Sequence, residues 1–128
     1  LSAPLDKIQI IKGWTENGNI NQEVYDVICS DDREINNRNN KCKETKASVN
    51  FENCSFDENY GSDRLEVIWT DTEYTPDQNT FYYARAIENP TCRWSTYDSI
   101  RIDEKPAKNY PKIMREMAWS SPIWIKNN

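Results

Sequence analysis

The 128-residue chain has no histidine and only three glycines. Without an imidazole there is no Ser-His or Cys-His nucleophile pair and no histidine-based metal site. With so little glycine there is no Gly-rich loop to cradle a phosphate. Acid–base chemistry would have to fall to carboxylates alone. Positive charge is also short: 16 Lys and Arg against 21 Asp and Glu give a net charge of −5. No basic surplus exists to follow a nucleic-acid backbone, so DNA and RNA are not expected partners. No apolar run approaches the roughly 18 residues of a membrane span, so no membrane insertion is expected. The opening LSAPLDKIQI lacks the charged start and apolar stretch of a signal peptide. There is no initiator methionine and a strand-like pattern begins by Lys7. The chain therefore reads as one β-rich domain, residues 1–128, cut from a longer protein.

Hydrophobic residues make up 37% of the chain and aromatics 12%, which suits a folded globular unit. Cys29, Cys42, Cys54 and Cys92 show no C-x-x-C spacing, so the usual zinc and thioredoxin-like arrangements are absent. No metal and no cofactor are expected here. An even number of cysteines in a polar, loop-rich chain fits two disulfides and an oxidising compartment. Of the three possible connectivities, Cys29–Cys42 with Cys54–Cys92 is preferred. The first bridge closes the polar loop SDDREINNRNNK, and closing a loop near that length stabilises by roughly 3 kcal/mol.

The apolar pattern has period two almost throughout. LDKIQIIKGW alternates around Ile8 and Ile10, Asn17-Gly18 supplies a turn suited to positive φ, and QEVYDVIC alternates again, which predicts a β-hairpin. Asp31 to Lys46 reads as a loop, ASVNFENC as a short strand, and RLEVIWT as a strand alternating Leu65, Val67 and Trp69. TFYYARAIE places Phe81, Tyr83, Arg85 and Ile87 on one face and Tyr82, Ala84, Ala86 and Glu88 on the other. Pro111 followed by Ile113, Met114 and Met117 predicts one short helix near 111–118, and AWSSPIWI a closing edge strand. The expected fold is mainly β, an immunoglobulin-like or fibronectin-like β-sandwich, complete or not, with long loops. Tyr74 or Tyr82 is the candidate for a corner tyrosine whose hydroxyl bonds back to backbone.

Motifs that could carry chemistry are few. The run DENYGSDRLEVI misses the calcium-loop pattern, since Gly61 falls one place early and the twelfth position is Ile68. Asp71, Glu73 and Asp77 read as a solvated acidic loop. Arg85, Arg93 and Trp94 are the candidate ligand residues, because arginine among aromatics can clamp a sugar or an anion. The competing reading is that each Arg stem covers apolar surface while its head meets a carboxylate. For Arg85, flanked on its face by Tyr83 and Ile87, a carboxylate partner is expected.

LDKIQIIKGW, EVYDVICSD, FYYARAIENPTCRWSTYDS and REMAWSSPIWI together resemble the C-terminal part of the DUF3604 family, bacterial exported proteins of unknown function. The resemblance runs from about Leu5 to Ile125 in the family's order. It implies a longer parent whose N-terminal part resembles the PHP superfamily of metal-dependent phosphoesterases, with His-rich and Asp-rich motifs. None of those motifs maps onto this chain, which has no His. The resemblance thus implies that any metal-dependent hydrolase activity belongs to that missing N-terminal domain, which would be this chain's partner, and that the location is exported, periplasmic or extracellular. Two functions of different class follow: a non-catalytic C-terminal β-domain packing on a PHP-like hydrolase core, or an independent ligand-binding module for sugars or anions.

Overall fold

The computed structural model describes residues 2–105 and 108–126. The longest alternating run becomes strand β1, Leu5–Glu16, and the turn after it returns the chain as β2, Asn19–Cys29. Asn17 and Gly18 have φ of 51° and 79°, the conformation this tight hairpin turn demands and that Asn and Gly adopt most easily. Next comes a small ribbon of β3, Ile35–Asn36, and β4, Lys41–Cys42, inside the stretch expected to be loop. The asparagines of that stretch build its turn: Asn36 Oδ1 accepts from the Arg38 N–H at 2.9 Å, and Asn39 Oδ1 from the Lys41 N–H at 3.1 Å.

Strand β5, Thr80–Glu88, lies antiparallel to β1, which is therefore paired on both edges. A second layer follows: β6, Thr91–Cys92, helix α1, Trp94–Arg101, and β7, Ile113–Met114, which pairs with β6. The chain then comes back to the main sheet as β8, Met117–Trp119, and β9, Ile123–Ile125, both antiparallel to β5. These two are one edge strand with a break in it. Around Ser120–Pro122 the ladder bulges, and Ser120 holds it by accepting from the Ala84 N–H through Oγ and donating its own N–H to the Ala84 carbonyl, each at 2.9 Å. Main-sheet order is β2-β1-β5-β8, with β9 also on β5. The result is mainly β, antiparallel and not a closed barrel, in keeping with the expected β-sandwich class.

Both disulfides form in the expected pairing, Cys29–Cys42 and Cys54–Cys92, with Cα–Cα distances of 5.9 and 5.6 Å. The first ties the end of β2 to β4; the second ties the irregular segment around residue 54 to the second layer.

Several expectations are corrected. The one helix is Trp94–Arg101, not 111–118; Ile113, Met114 and Met117 lie instead in β7 and β8. Their three-to-four spacing mimics a helix face, but β6 and β5 each offer an open edge, and pairing overrides the local pattern. RLEVIWT joins no ladder, because β1 is already flanked by β2 and β5. It crosses over the sheet instead, with Trp69 half-buried and Ile68 98% exposed. ASVNFENC shrinks to a single bridge, Val49 with Phe56.

Gly13 stands opposite Phe81, and a Cβ there would come within 2.2 Å of the Phe81 ring. Gly13→Ala is expected to destabilise the fold by about 1–3 kcal/mol through overpacking. Urea unfolding should also show part of the loss recovered when Phe81→Leu is added; equal stability of Gly13→Ala and wild type would refute the close packing.

Candidate functional site

Arg85 lies in mid-sheet, opposite Gln9 of β1, which in turn lies opposite Asp26 of β2. Three strands thus bring three polar side chains into one row on one face. Arg85 donates to Gln9 Oε1 from Nε at 2.8 Å and from Nη2 at 2.5 Å. The Gln9 amide passes the interaction on, donating to Asp26 Oδ1 at 2.6 Å. Asp26 Oδ2 accepts from Lys7 Nζ at 3.1 Å and from the Cys42 N–H at 2.8 Å. The direct partner of Arg85 is therefore a carboxamide, not the expected carboxylate, which is one residue further along. Burial alone would raise the Asp26 carboxyl, but the Cys42 N–H, the Gln9 amide and the Lys7 ammonium outweigh it and hold the group below the ordinary 3.8.

The opposite face carries a second buried charge. Lys12 is 3% exposed and pairs with Asp71 Oδ2 at 2.6 Å, while its ammonium also donates to the Glu73 carbonyl at 3.2 Å. Tyr82 donates to the same Asp71 oxygen at 2.5 Å, and Tyr25 to Glu73 Oε2 at 3.1 Å. Trp69 wedges between the two tyrosines, with centroids 5.1 Å from Tyr25 and 6.3 Å from Tyr82. So Asp71 departs from the expected solvated loop and straps the segment around Trp69 onto the sheet, whereas Glu73 and Asp77 are exposed, as expected. The candidate corner tyrosine, Tyr82, bonds to a carboxylate rather than to backbone, and Tyr74 is 37% exposed. Burial, then the hydrogen bond to Glu73, pushes the Tyr25 hydroxyl above the ordinary 10.0. Burial, then the bond to Asp71, does the same for Tyr82.

The three candidate ligand residues are not brought together. Arg93 precedes α1, with its guanidinium 6.0 Å from the centroid of the Tyr110 ring. Trp94 opens the helix, is 69% exposed, and walls a cleft of about 690 Å³ between the second layer and the main sheet. The floor of that cleft includes Ala86 and Ala118, which are register partners, so the cleft lies on the face opposite Arg85. Glu88 lines the same cleft, and its Oε2 is the one buried side-chain polar atom without a hydrogen-bond partner among the described residues. Sequence reading placed Glu88 on the small face with Ala84 and Ala86 but gave it no role. Two alanines beside a carboxylate were the available signal, since small side chains leave room above them. Among the described residues no group of three or more Cys, Asp or Glu is placed to hold a metal ion.

A second feature lies along the outer edge. Trp119 and Trp124 are 59% and 64% exposed and Ile123 is 68% exposed. Trp124 packs on Phe81 at 4.9 Å between centroids but leaves most of its surface free. An edge strand this apolar pairs readily with other chains unless something covers it.

The family model for the protein of unknown function DUF3604 matches residues 1–127. No curated protein and no solved structure matches the chain.

The pKa directions set the pH dependence of stability. For Asp26 and Asp71, held below 3.8, the contribution is present above that pH and is lost as pH falls through the lower folded values. For Tyr25 and Tyr82 the contribution is complete below pH 10.0 and is lost as pH rises toward the higher folded values. Unfolding free energy is expected to fall at both ends of the scale. Tyr25→Phe with Tyr82→Phe should flatten the alkaline fall between pH 10 and about pH 12; an unchanged alkaline slope in that variant would contradict the assignment.

Proposed function

The chain belongs to the DUF3604 family, and from that membership we propose that it is a non-catalytic β-domain packing on a PHP-like hydrolase core of the same longer protein. In this role it stabilises that core and shapes the entrance to its active site. The observation that carries the reading is the apolar outer edge made by Trp119, Ile123 and Trp124. An edge strand with two largely exposed tryptophans is an aggregation site in isolation and an anchor in an interface. The buried set supports the same reading. Among the described residues Ile11, Tyr25, Val27 and Ile87 are the large buried apolar side chains, while Asp6, Gln9, Lys12 and Asp26 are equally buried. Much of the chain's apolar surface thus remains outside.

The two disulfides fit an oxidising compartment and support an exported, periplasmic or extracellular protein. A module for sugars or anions has less support. Arg85 is engaged by Gln9, and no Lys or Arg lines the cleft beside Trp94.

In the longer protein, Trp119→Lys with Trp124→Lys is expected to speed hydrogen exchange over residues 117–125 and to lower the melting temperature. In the 128-residue chain alone the same pair should leave stability near wild type and raise solubility, as removal of an exposed apolar patch does. Unchanged exchange and melting in the longer protein would reject the docking role.

A further inference from the structure

The first described residues do not lie on the outside of the domain. Leu5, where β1 begins, is paired with Glu88 of β5 on one side and bridged to Ser62 on the other, exchanging backbone hydrogen bonds with Ser62 at 2.8 and 3.0 Å. The Pro4 carbonyl accepts from the Asn89 N–H at 2.8 Å. Beyond this clamp Ser2 and Ala3 help to line the cleft of about 690 Å³, and Ala3 is 5% exposed. The floor of the cleft includes the small residues Ala86 and Ala118, while its walls carry much open apolar surface: Trp94 is 69%, Tyr97 42% and Met117 39% exposed. Small floor residues leave room for a backbone to cross above them, and aromatic and thioether walls suit apolar side chains.

We infer that this cleft seats the polypeptide that directly precedes Leu1 in the longer protein: it continues beyond Ser2 in extended form across Ala86 and Ala118 and lays apolar side chains against Trp94, Tyr97 and Met117. This rests on the reading of the chain as part of a longer protein, but not on the outer edge assigned to docking, since Trp119, Ile123 and Trp124 do not line the cleft. Direction favours this occupant. Read backwards from Leu5, the chain runs the way β5 runs, toward β6 and the helix start at Trp94, and Thr91 and Cys92 of β6 line the same cleft. Connectivity favours it too. A segment joined at Leu1 meets the cleft at an effective concentration on the order of millimolar, which a free ligand or a second copy has to match. Seated there, the segment packs the second layer against the main sheet beside the Cys54–Cys92 bridge.

The test uses the longer protein with Trp94, at an exposed helix start, replaced by the photoreactive p-benzoylphenylalanine. Irradiation is expected to cross-link it, within the same chain, to the residues directly before Leu1, as read by peptide mass spectrometry. Hydrogen exchange supplies a second reading. The amides of those residues are expected to exchange slowly, and Trp94→Ala to speed them by about tenfold while exchange in β1 and β5 stays as in wild type. Trp119→Lys with Trp124→Lys is expected to leave both readings unchanged, so that docking at the outer edge and filling of the cleft fail separately. Cross-links to a distant part of the chain, to a second copy or to nothing overturn the inference, as does exchange before Leu1 that is fast in wild type or that Trp94→Ala leaves slow.

Discussion

The carboxylate of Asp26 is the point on which the main sheet depends. It receives donors from β1 through Gln9 and Lys7 and from β4 through the Cys42 N–H, and by way of Gln9 it reaches Arg85 on β5. One buried acid therefore fixes the register of three strands and seats the loop closed by the Cys29–Cys42 bridge. A one-residue slip of β5 would turn Arg85 to the other face and leave Gln9 Oε1 without its donors. Such a network is weak evidence for net stability, since desolvation offsets much of the attraction. It is strong evidence for specificity in this sheet, because a wrong register strands buried charge.

The same logic recurs at both ends of β1. Asp6, 1% exposed, binds Arg33 from the segment after β2 and Arg115 from the segment before β8, drawing two distant parts of the chain to one strand. Lys12 binds Asp71 and so holds the crossing segment with Trp69. Buried ion pairs and two disulfides thus perform fastening that a larger apolar core performs elsewhere. That division of labour leaves tryptophans and isoleucines free for the outer edge.

Much of this was legible in the sequence, and the failures have physical causes. The hairpin, the strand over 80–88, the edge strand through Pro122 and both disulfides follow from alternation, from Asn-Gly and from polar loops that need closure. The helix was not legible because its buried residues are Thr96 and Ser99, which carry no apolar period, and no acidic residue marks its first turn. Ile113, Met114 and Met117 carried a helical period and became strands because open edges awaited them. Gln9 as the partner of Arg85 required the β1–β5 register, which no local pattern reveals. Likewise the fate of Asp71 depended on Lys12, nearly sixty residues earlier, so a reading of the loop by itself made it solvated. For the cleft, Trp94 was found by its chemistry, whereas Glu88 became visible only when its neighbours had left its oxygen without a donor.

Asp26 and Arg85 do not touch, so energetic coupling between them measures the Gln9 relay directly. A double-mutant cycle on unfolding free energy, with Asp26→Asn, Arg85→Met and the combined variant, isolates that coupling. If the three strands are held by one unit, the combined cost falls short of the sum of the single costs by more than about 1 kcal/mol. Costs that add to within about 0.5 kcal/mol would show two independent contacts and contradict the account.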